Sequence, residues 1–563
     1  MESIAGDLAT MKRTPLEPAH VDALRAAGRE RSYPAGSMVA EAGTPIDRFI
    51  YVEQGEIEVV DPLTGGRYVP STLGPTQFVG EVAFLSGGNF NLSMRACADT
   101  RVIEVERKAM LALMANIPEM SDIILTVYTA RRRRQFEAGD SALVLIGAEA
   151  DPAVQAVAVF ASRNRIPFQS HELGTAAGNE AAHECKVDAR RPAVIFGKGE
   201  KIDHPTPLKI ARKLGLDLAP GDGEAIDLLI VGGGPAGVAA AVYAGAEGLT
   251  ALVIEDLSIG GQAGTSSRIE NYMGFPTGIS GGDLVFRGQV QAMKFGTRFA
   301  MPHRVTALAE RDDGTLCATL DGDKSICARA LLVATGVQYR RLPLPGIERY
   351  EGAGIYYAAT EMESRFCRQT DAVIVGGGNS AGQAAMYLSR TAAHVHLLVR
   401  GPSLAASMSD YLRTRLENDP RITIHYRAQL TALAGDDHLK SVTIDKAGET
   451  HEIATRALFI MVGAAPNSDW LSGLVTLDDK GFVRTGREAG GETTFSTSHP
   501  RIWAVGDVRA GSVKRVASAV GEGSVVVSAI WTALDAAHGN DRAAADQQAA
   551  DDRTVRTRPR QSA

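Results

Sequence analysis

Apolar positions along this chain follow two textures. Around residue 226 they come in short, nearly unbroken runs. Ile226 to Val231 is one, Ala236 to Glu247 is alanine-rich, and Ala251 to Ile254 is apolar again. Runs of roughly four to eight apolar residues between turn formers read as buried strands, and the longer run reads as a helix. The pattern therefore predicts strand, helix, strand. It recurs from Asp371 to Ser389, with a further strand from His394 to Val399.

Between Tyr33 and Glu106 short segments are cut by glycines at Gly36, Gly43, Gly55, Gly65, Gly66 and Gly74, and Phe49 to Val60 alternates like a half-buried hairpin. This predicts an antiparallel β barrel or jelly roll. Helices flank it, Pro18 to Ala27 before and Arg107 to Phe136 after. The stretch 141–220 reads as a small α/β unit. It has a strand at Ala142–Gly147, a helix at Asp151–Arg165 with Pro152 in its first turn, and strands at Pro167–Leu173 and Ala193–Phe196. A turn at Gly197-Lys198-Gly199 and an amphipathic helix at Thr206–Leu214 complete it.

The glycines between the strand and helix runs bring in chemistry. Gly232, Gly234 and Gly237, with Pro235 and Ala236 between them, have the spacing of a dinucleotide-binding turn. Gly232 permits the tight turn, Gly234 lets backbone approach a pyrophosphate, and Gly237 lets helix and strand pack closely. The anion sits on the helix N-terminus, where unpaired N–H groups and the dipole favour it. Glu255 closes the second strand, where an acidic residue takes the adenosine ribose. The second unit repeats this with Gly376, Gly378, Asn379, Ser380 and Ala381, and the first glycines, at 232 and 376, lie 144 residues apart. Its second strand ends at Arg400, a cation suited to a 2′-phosphate. Two such sites suggest two cofactors that exchange electrons, the second being NADPH in preference to NADH.

Further motifs complete a resemblance. Gly260-Gly261-Gln262 and Ile269-Glu270-Asn271-Tyr272, Ala334-Thr335-Gly336, Trp503-Ala504-Val505-Gly506-Asp507 and Arg515-Val516-Ala517-Ser518 are similar to the flavin-binding segments of the low-molecular-weight thioredoxin reductases. The resemblance covers roughly residues 225–538. It implies FAD in the first site, with Asp507 at the ribityl chain, a homodimer, and an NADPH domain that rotates on hinges at 334–339 and 462–466. One departure stands out. Where that family carries Cys-x-x-Cys, this chain has Tyr357-Ala358-Ala359-Thr360. Tyr357 and Cys367, the thiol nearest this window, are the candidate catalytic residues; Cys367 either approaches the flavin or is a plain buried cysteine.

The first domain resembles the cyclic-nucleotide-binding domain through 34–59, and through Phe78-Val79-Gly80-Glu81-Val82-Ala83, which matches the start of its phosphate-binding cassette. The resemblance makes Gly80 and Glu81 effector-binding, with Glu81 on a ribose hydroxyl. The family's phosphate-binding arginine is replaced by Phe90 or Asn91, which counts against a cyclic nucleotide, since a buried phosphate loses a strong contact without its cation. Arg95 restores that contact only if the loop shifts. The run Arg131 to Arg134 reads as a solvated face or as a docking strip for an acidic neighbour. The unit at 141–220 resembles a thioredoxin or glutaredoxin, with Arg191-Pro192 at that fold's cis-proline position. Its redox loop, Gly147-Ala148-Glu149-Ala150-Asp151, has no cysteine, and Cys185 is too far along to substitute.

At 563 residues the chain should hold several domains. The expected fold is a multidomain one: a β jelly roll at 1–136, a thioredoxin-like α/β unit at 141–220, then two Rossmann-like domains. The FAD domain takes 225–338 and 463–539, the NAD(P)H domain 339–462, and a polar tail 540–563. A net charge of −7 argues against general nucleic-acid binding. Five scattered cysteines make no disulfide framework, the N-terminus lacks a signal core, and no apolar run nears the ~20 residues of a membrane span. These point to a cytoplasmic protein without a membrane or metal. The function expected is an NADPH-consuming flavin oxidoreductase feeding a redox protein or small-molecule acceptor. The alternative is a redox or nucleotide sensor whose turnover is incidental.

Overall fold

The computed structural model describes residues 14–556, apart from 62–63, 139–141, 198–199, 218–225, 267–268, 270, 322–323, 340–341, 351–352, 358, 360–363, 365–366, 437 and 472. Lys198, Gly199, Glu270, Ala358 and Thr360 lie outside the described residues, as does the expected linker around Pro220.

The N-terminal domain is a jelly roll of two antiparallel sheets. One orders strands Arg29–Tyr33, Thr100–Glu106, Arg48–Gln54 and Phe78–Val79; the other orders Met38–Ala40, Ser93–Ala96 and Ile57–Val60. Phe49, Phe78, Phe84 and Tyr128 form its aromatic centre. Tyr128 comes from the long helix Pro118–Ala138, which folds back over the cassette. On the same helix, Arg131 donates to the carbonyls of Phe78 and Gly80 at 2.8 and 2.9 Å, and Arg132 stands 3.7 Å from Glu81. Neither reading of the arginine run holds for these two, because both guanidinium groups turn inward.

The second unit has the sheet order Glu200–Lys201, Ala193–Phe196, Leu143–Ile146, Gln169–His171, with only the last pair parallel. Helix Ala176–Glu184 was not legible in the sequence. Its sequence AAGNEAAHE offers little apolar periodicity, and the Thr175 cap is what starts it. The cis peptide among the described residues is Met301–Pro302, not Arg191–Pro192.

The two Rossmann-like domains each carry a five-stranded parallel sheet and a three-stranded antiparallel meander. The first sheet runs Arg298–Ala300, Ala251–Ile254, Leu228–Val231, Ala330–Val333, Ile502–Ala504. The second runs Ile355–Tyr356, Ala457–Ile460, Ala372–Val375, Val395–Val399, Ile422–Tyr426. Strands Val337–Tyr339 and Ala464–Pro466 pair antiparallel where the chain crosses between the domains. In the first meander Cys317 and Cys327 are directly paired across neighbouring strands and form a disulfide.

The last helix runs from Val516 to Arg556, so the backbone is helical through most of the expected flexible tail. Few large apolar residues are needed for this: alanine, glutamine and arginine are good helix formers. Its stretch Val516–Ala536 is also long and apolar enough to cross a membrane, contrary to the sequence reading, but Val526, Val527 and Ile530 are buried here within the protein.

The modules share cores. Apolar packing runs without a break from the jelly roll into the first Rossmann domain, with the cassette helix Ala83–Ser86 set against helix Gly281–Lys294.

Candidate functional site

The first glycine turn owes its shape to close backbone approaches. Gly232 has φ +109°, and a Cβ there would strike the Ala334 carbonyl; a Cβ on Gly237 would strike the Gly232 carbonyl. Beside Gly234 there is open space, on the side where helix Pro235–Ala246 begins without a side-chain cap. Pro235 and Ala236 form that first turn. The uncapped helix start beside an open glycine is the arrangement that suits a dinucleotide pyrophosphate.

Glu255 is gripped by backbone. Gly233 N–H donates to Oε2 at 2.6 Å, and the N–H groups of Leu257 and Ser258 donate to Oε1 at 3.1 and 3.4 Å. Burial, with Asp256 alongside, pushes its carboxyl above the usual range. Gly261 approaches Gly234, since a Cβ on it would come within 3.2 Å of the Gly234 Cα. Gln262 donates to the Val337 carbonyl at 2.5 Å, and Thr335 donates to the Asn467 carbonyl at 2.7 Å. Gly336 has φ +61°. These contacts tie the flavin-side segment to the interdomain crossing. Asn271 lies exposed on the turn after it.

The Gly506-Asp507 segment is fixed by a residue the sequence reading missed. Glu522 accepts the Gly506 N–H at 2.6 Å and holds Arg509 at 2.6 and 3.1 Å. No local motif marks Glu522; it lies in a helix of a different segment. Burial raises the Asp507 carboxyl, against the pull of Lys514. Arg515, Val516 and Ala517 lie at the start of the last helix.

In the second site Gly376 has φ +153° and faces the Met461 carbonyl, with the Ala381 Cβ 3.1 Å from where its own would stand. Gly378 starts helix Asn379–Leu388, so Asn379, Ser380 and Ala381 form its first turn. Asn379 Oδ1 accepts the Ser409 N–H at 2.8 Å, and Ser407 donates to the Gly377 carbonyl at 2.7 Å. Arg400 is exposed just past the end of strand Val395–Val399. This site, too, fits a dinucleotide.

The catalytic candidates fare differently. Tyr357 follows strand Ile355–Tyr356 and is half-buried. Cys367 is fully buried among Ala372, Ile374, Ala381 and Leu388, in the core of the second Rossmann domain. It is a packing residue, because a small thiol fits that apolar interior.

The effector residues Gly80 and Glu81 come together with Asn91, Tyr128 and Arg132. Burial raises the Glu81 carboxyl, opposed by Arg132 and by hydrogen bonds from Asn91. Phe90 and Asn91 are both buried, and Arg95 is held by Glu58 at 2.5 and 2.8 Å, so it does not replace the missing cation.

Residues 226–523 match the family described as pyridine nucleotide-disulphide oxidoreductase, and residues 30–116 match the cyclic nucleotide-binding domain. Residues 117–225 lie between the two matches. A thioredoxin reductase of Treponema pallidum is 34% identical over 314 residues, covering 55% of this chain and 97% of that protein. One from Mycolicibacterium smegmatis is 33% identical over 299 residues, covering 53% and 93%. The crystal structure of Lactococcus lactis thioredoxin reductase superimposes with a TM-score of 0.51 at 28% identity, covering 55% of this chain and 99% of that one.

Proposed function

Because the chain belongs to the pyridine nucleotide-disulphide oxidoreductases, in their thioredoxin reductase-type FAD and NAD(P)H branch, with a cyclic nucleotide-binding domain fused ahead of it, we propose that it oxidises NADPH and hands the electrons to an acceptor that reaches the flavin directly. The observation that carries this is the cysteine pattern. The five cysteines stand at 97, 185, 317, 327 and 367, and no two are spaced as Cys-x-x-Cys. An internal dithiol relay of that kind is therefore missing, although the nucleotide loops are complete.

FAD, when bound, supplies hydride acceptance from nicotinamide and onward electron donation. The chain's own work is placement. The first turn of helix Pro235–Ala246 holds pyrophosphate, Glu255 takes the ribose hydroxyls, and Asp507 meets the ribityl chain. Gly378 to Ala381 hold the second pyrophosphate, and Arg400 meets the 2′-phosphate. The paired strands Val337–Tyr339 and Ala464–Pro466 act as the hinge between donor and acceptor positions.

Anaerobic titration tests this. The expected uptake is two electrons per FAD, with thioredoxin not reduced and small acceptors turning over. Uptake of four electrons would refute direct transfer and put Cys317 and Cys327 in the route. The same reading makes the protein a cytoplasmic homodimer. The exposed Val525 and Trp531 on the last helix support a partner surface there, and light scattering on the purified chain checks it.

A second reading, a sensor with incidental turnover, is favoured by one contact: the cassette helix rests on Gly281–Lys294, which follows the flavin-side segment. NADPH consumption against an acceptor panel separates the two.

A further inference from the structure

The thioredoxin-like unit sits outside both family matches and has no cysteine in its redox loop, yet it grips the first Rossmann domain at two places. Both places lead to one residue, Glu255.

The first grip comes from the C-terminal end of helix Pro152–Arg163. Asn164 caps that helix and spends its side-chain amide on two carbonyls, Phe160 and Leu257, each at 2.9 Å. Leu257 is the residue whose own N–H donates to Glu255 Oε1 at 3.1 Å. Arg165 braces the same corner. It sits in left-handed backbone, φ +51°, and pairs with Asp283 at 2.5 Å at the start of helix Gly281–Lys294. The unit thus holds the turn 256–258 from outside, and the inner side of that turn holds Glu255.

The second grip comes from residues 216–217. The Leu216 carbonyl accepts the Met301 N–H at 3.2 Å, and Asp217 bridges Ala300, so this segment extends the edge of the parallel sheet. The Asp217 carboxylate meets His303 Nε2 at 2.6 Å and Arg212 at 3.1 Å. Burial pushes Asp217 up, but hydrogen bonds from His303 and Arg212 outweigh it and bring the group down to about 2. It is therefore a fixed anion at neutral pH. His303 is 2% exposed, and its backbone N–H donates to the Glu255 carbonyl at 2.8 Å. Asp217 thus fixes the backbone of Glu255, as Asn164 fixes the turn around its side chain.

We propose that the thioredoxin-like unit is a positioning clamp for Glu255, and through it for the adenosine ribose of the FAD, with Asn164 and Asp217 as its positioning residues. This rests on the FAD reading of the first site. It also gives the unit a task that needs no thiol. The clamp uses the end of the helix opposite the redox loop, about 18 Å away along roughly twelve residues.

The test uses the full chain, stripped of flavin, with Asn164→Ala and Asp217→Asn as separate variants. Affinities are measured for FAD, for ADP (the same ribose without flavin) and for NADPH, together with the melting temperature of the flavin-free protein. One neutral hydrogen bond is worth about fivefold to tenfold in affinity. Each variant should weaken FAD and ADP by about that factor at the first site, with NADPH affinity unchanged. The flavin-free melting temperature should stay unchanged in Asn164→Ala and fall in Asp217→Asn, which gives up the buried anion's contacts with His303 and Arg212. Unchanged FAD and ADP affinity in both variants overturns the clamp. So does a parallel loss of FAD, NADPH and melting temperature, which marks a merely structural role. If Asp217→Asn fails to fold, Asn164→Ala decides alone by the same criteria. A wild-type chain that takes up no FAD refutes the FAD reading itself, which is a different outcome from a wild type that binds while both variants bind equally well.

Discussion

Single side chains set four expectations. Arg132 and Glu81 form a buried ion pair inside the cassette, 3.7 Å apart. Removing the cation leaves a carboxylate without its partner, which typically costs about 3 kcal/mol. Arg132→Ala should therefore lower the unfolding free energy by about that much in denaturant titration, and Glu81→Gln in the same background should restore most of it. With Phe90 and Asn91 buried where a cation is needed, cyclic AMP and cyclic GMP should bind the wild type weakly or not at all, and micromolar affinity by calorimetry would overturn this. His425 sets a pH dependence. Burial, then the neighbouring His396 at 3.0 Å, lowers it to about 4. The ordinary value is 6.5, so below that pH the unfolded chain takes up a proton that the folded chain refuses. Stability should be unaffected by this group above pH 6.5 and fall as pH drops toward 4. The loss should be on the order of 1–2 kcal/mol after discounting for solvent, and His425→Gln should flatten that part of the pH–stability curve. Arg400→Glu should shift preference from NADPH toward NADH by on the order of tenfold to a hundredfold, since one charge-assisted contact is worth roughly 1.5–3 kcal/mol. An unchanged ratio of the two affinities would remove Arg400 from the site.

At the level of elements, the glycine turns were the most legible part of the chain. Their spacing encodes a backbone approach that no other residue permits, and a single added carbon tests it. Gly237→Ala places a methyl group against the Gly232 carbonyl. Flavin retention on desalting should be lost, while NADPH affinity survives in the separate second domain. What the sequence hid, it hid for physical reasons. Helix Ala176–Glu184 carries too few apolar residues to show a period. Arg131 and Arg132 of Pro118–Ala138 look like part of a solvated run until the helix folds back over the cassette, whose carbonyls and carboxylate they meet. Glu522, Asn164 and Asp217 act on residues far from them in sequence, and no local pattern records such a contact. Cys367 is open to two readings in the sequence, a thiol near the flavin or a plain buried cysteine, and its place in the core of the second Rossmann domain can be seen only with the sheet in place.

For the whole molecule, the shared core matters most. Apolar residues of the jelly roll and of the first Rossmann domain form one continuous body, so the flavin half is not a free-standing module in this chain. A fragment starting at 226 should expose that apolar face and elute as aggregate in size-exclusion chromatography, while the full chain does not. A monodisperse fragment that binds FAD normally would show that the N-terminal modules are dispensable.

The order of strands in the first sheet has a consequence for synthesis. Its edge strand, Ile502–Ala504, lies beside Ala330–Val333, yet the ribosome makes it only after the entire second nucleotide domain. Glu255 and the first glycine turn are therefore waiting long before Asp507 exists. During that interval the half-built sheet has an unpaired edge, which invites misassembly. The jelly roll and the thioredoxin-like unit are translated earlier still, so their docking surfaces are ready when the sheet emerges. The two N-terminal modules are thus placed to act as a scaffold for a nascent flavoprotein whose final strand arrives last.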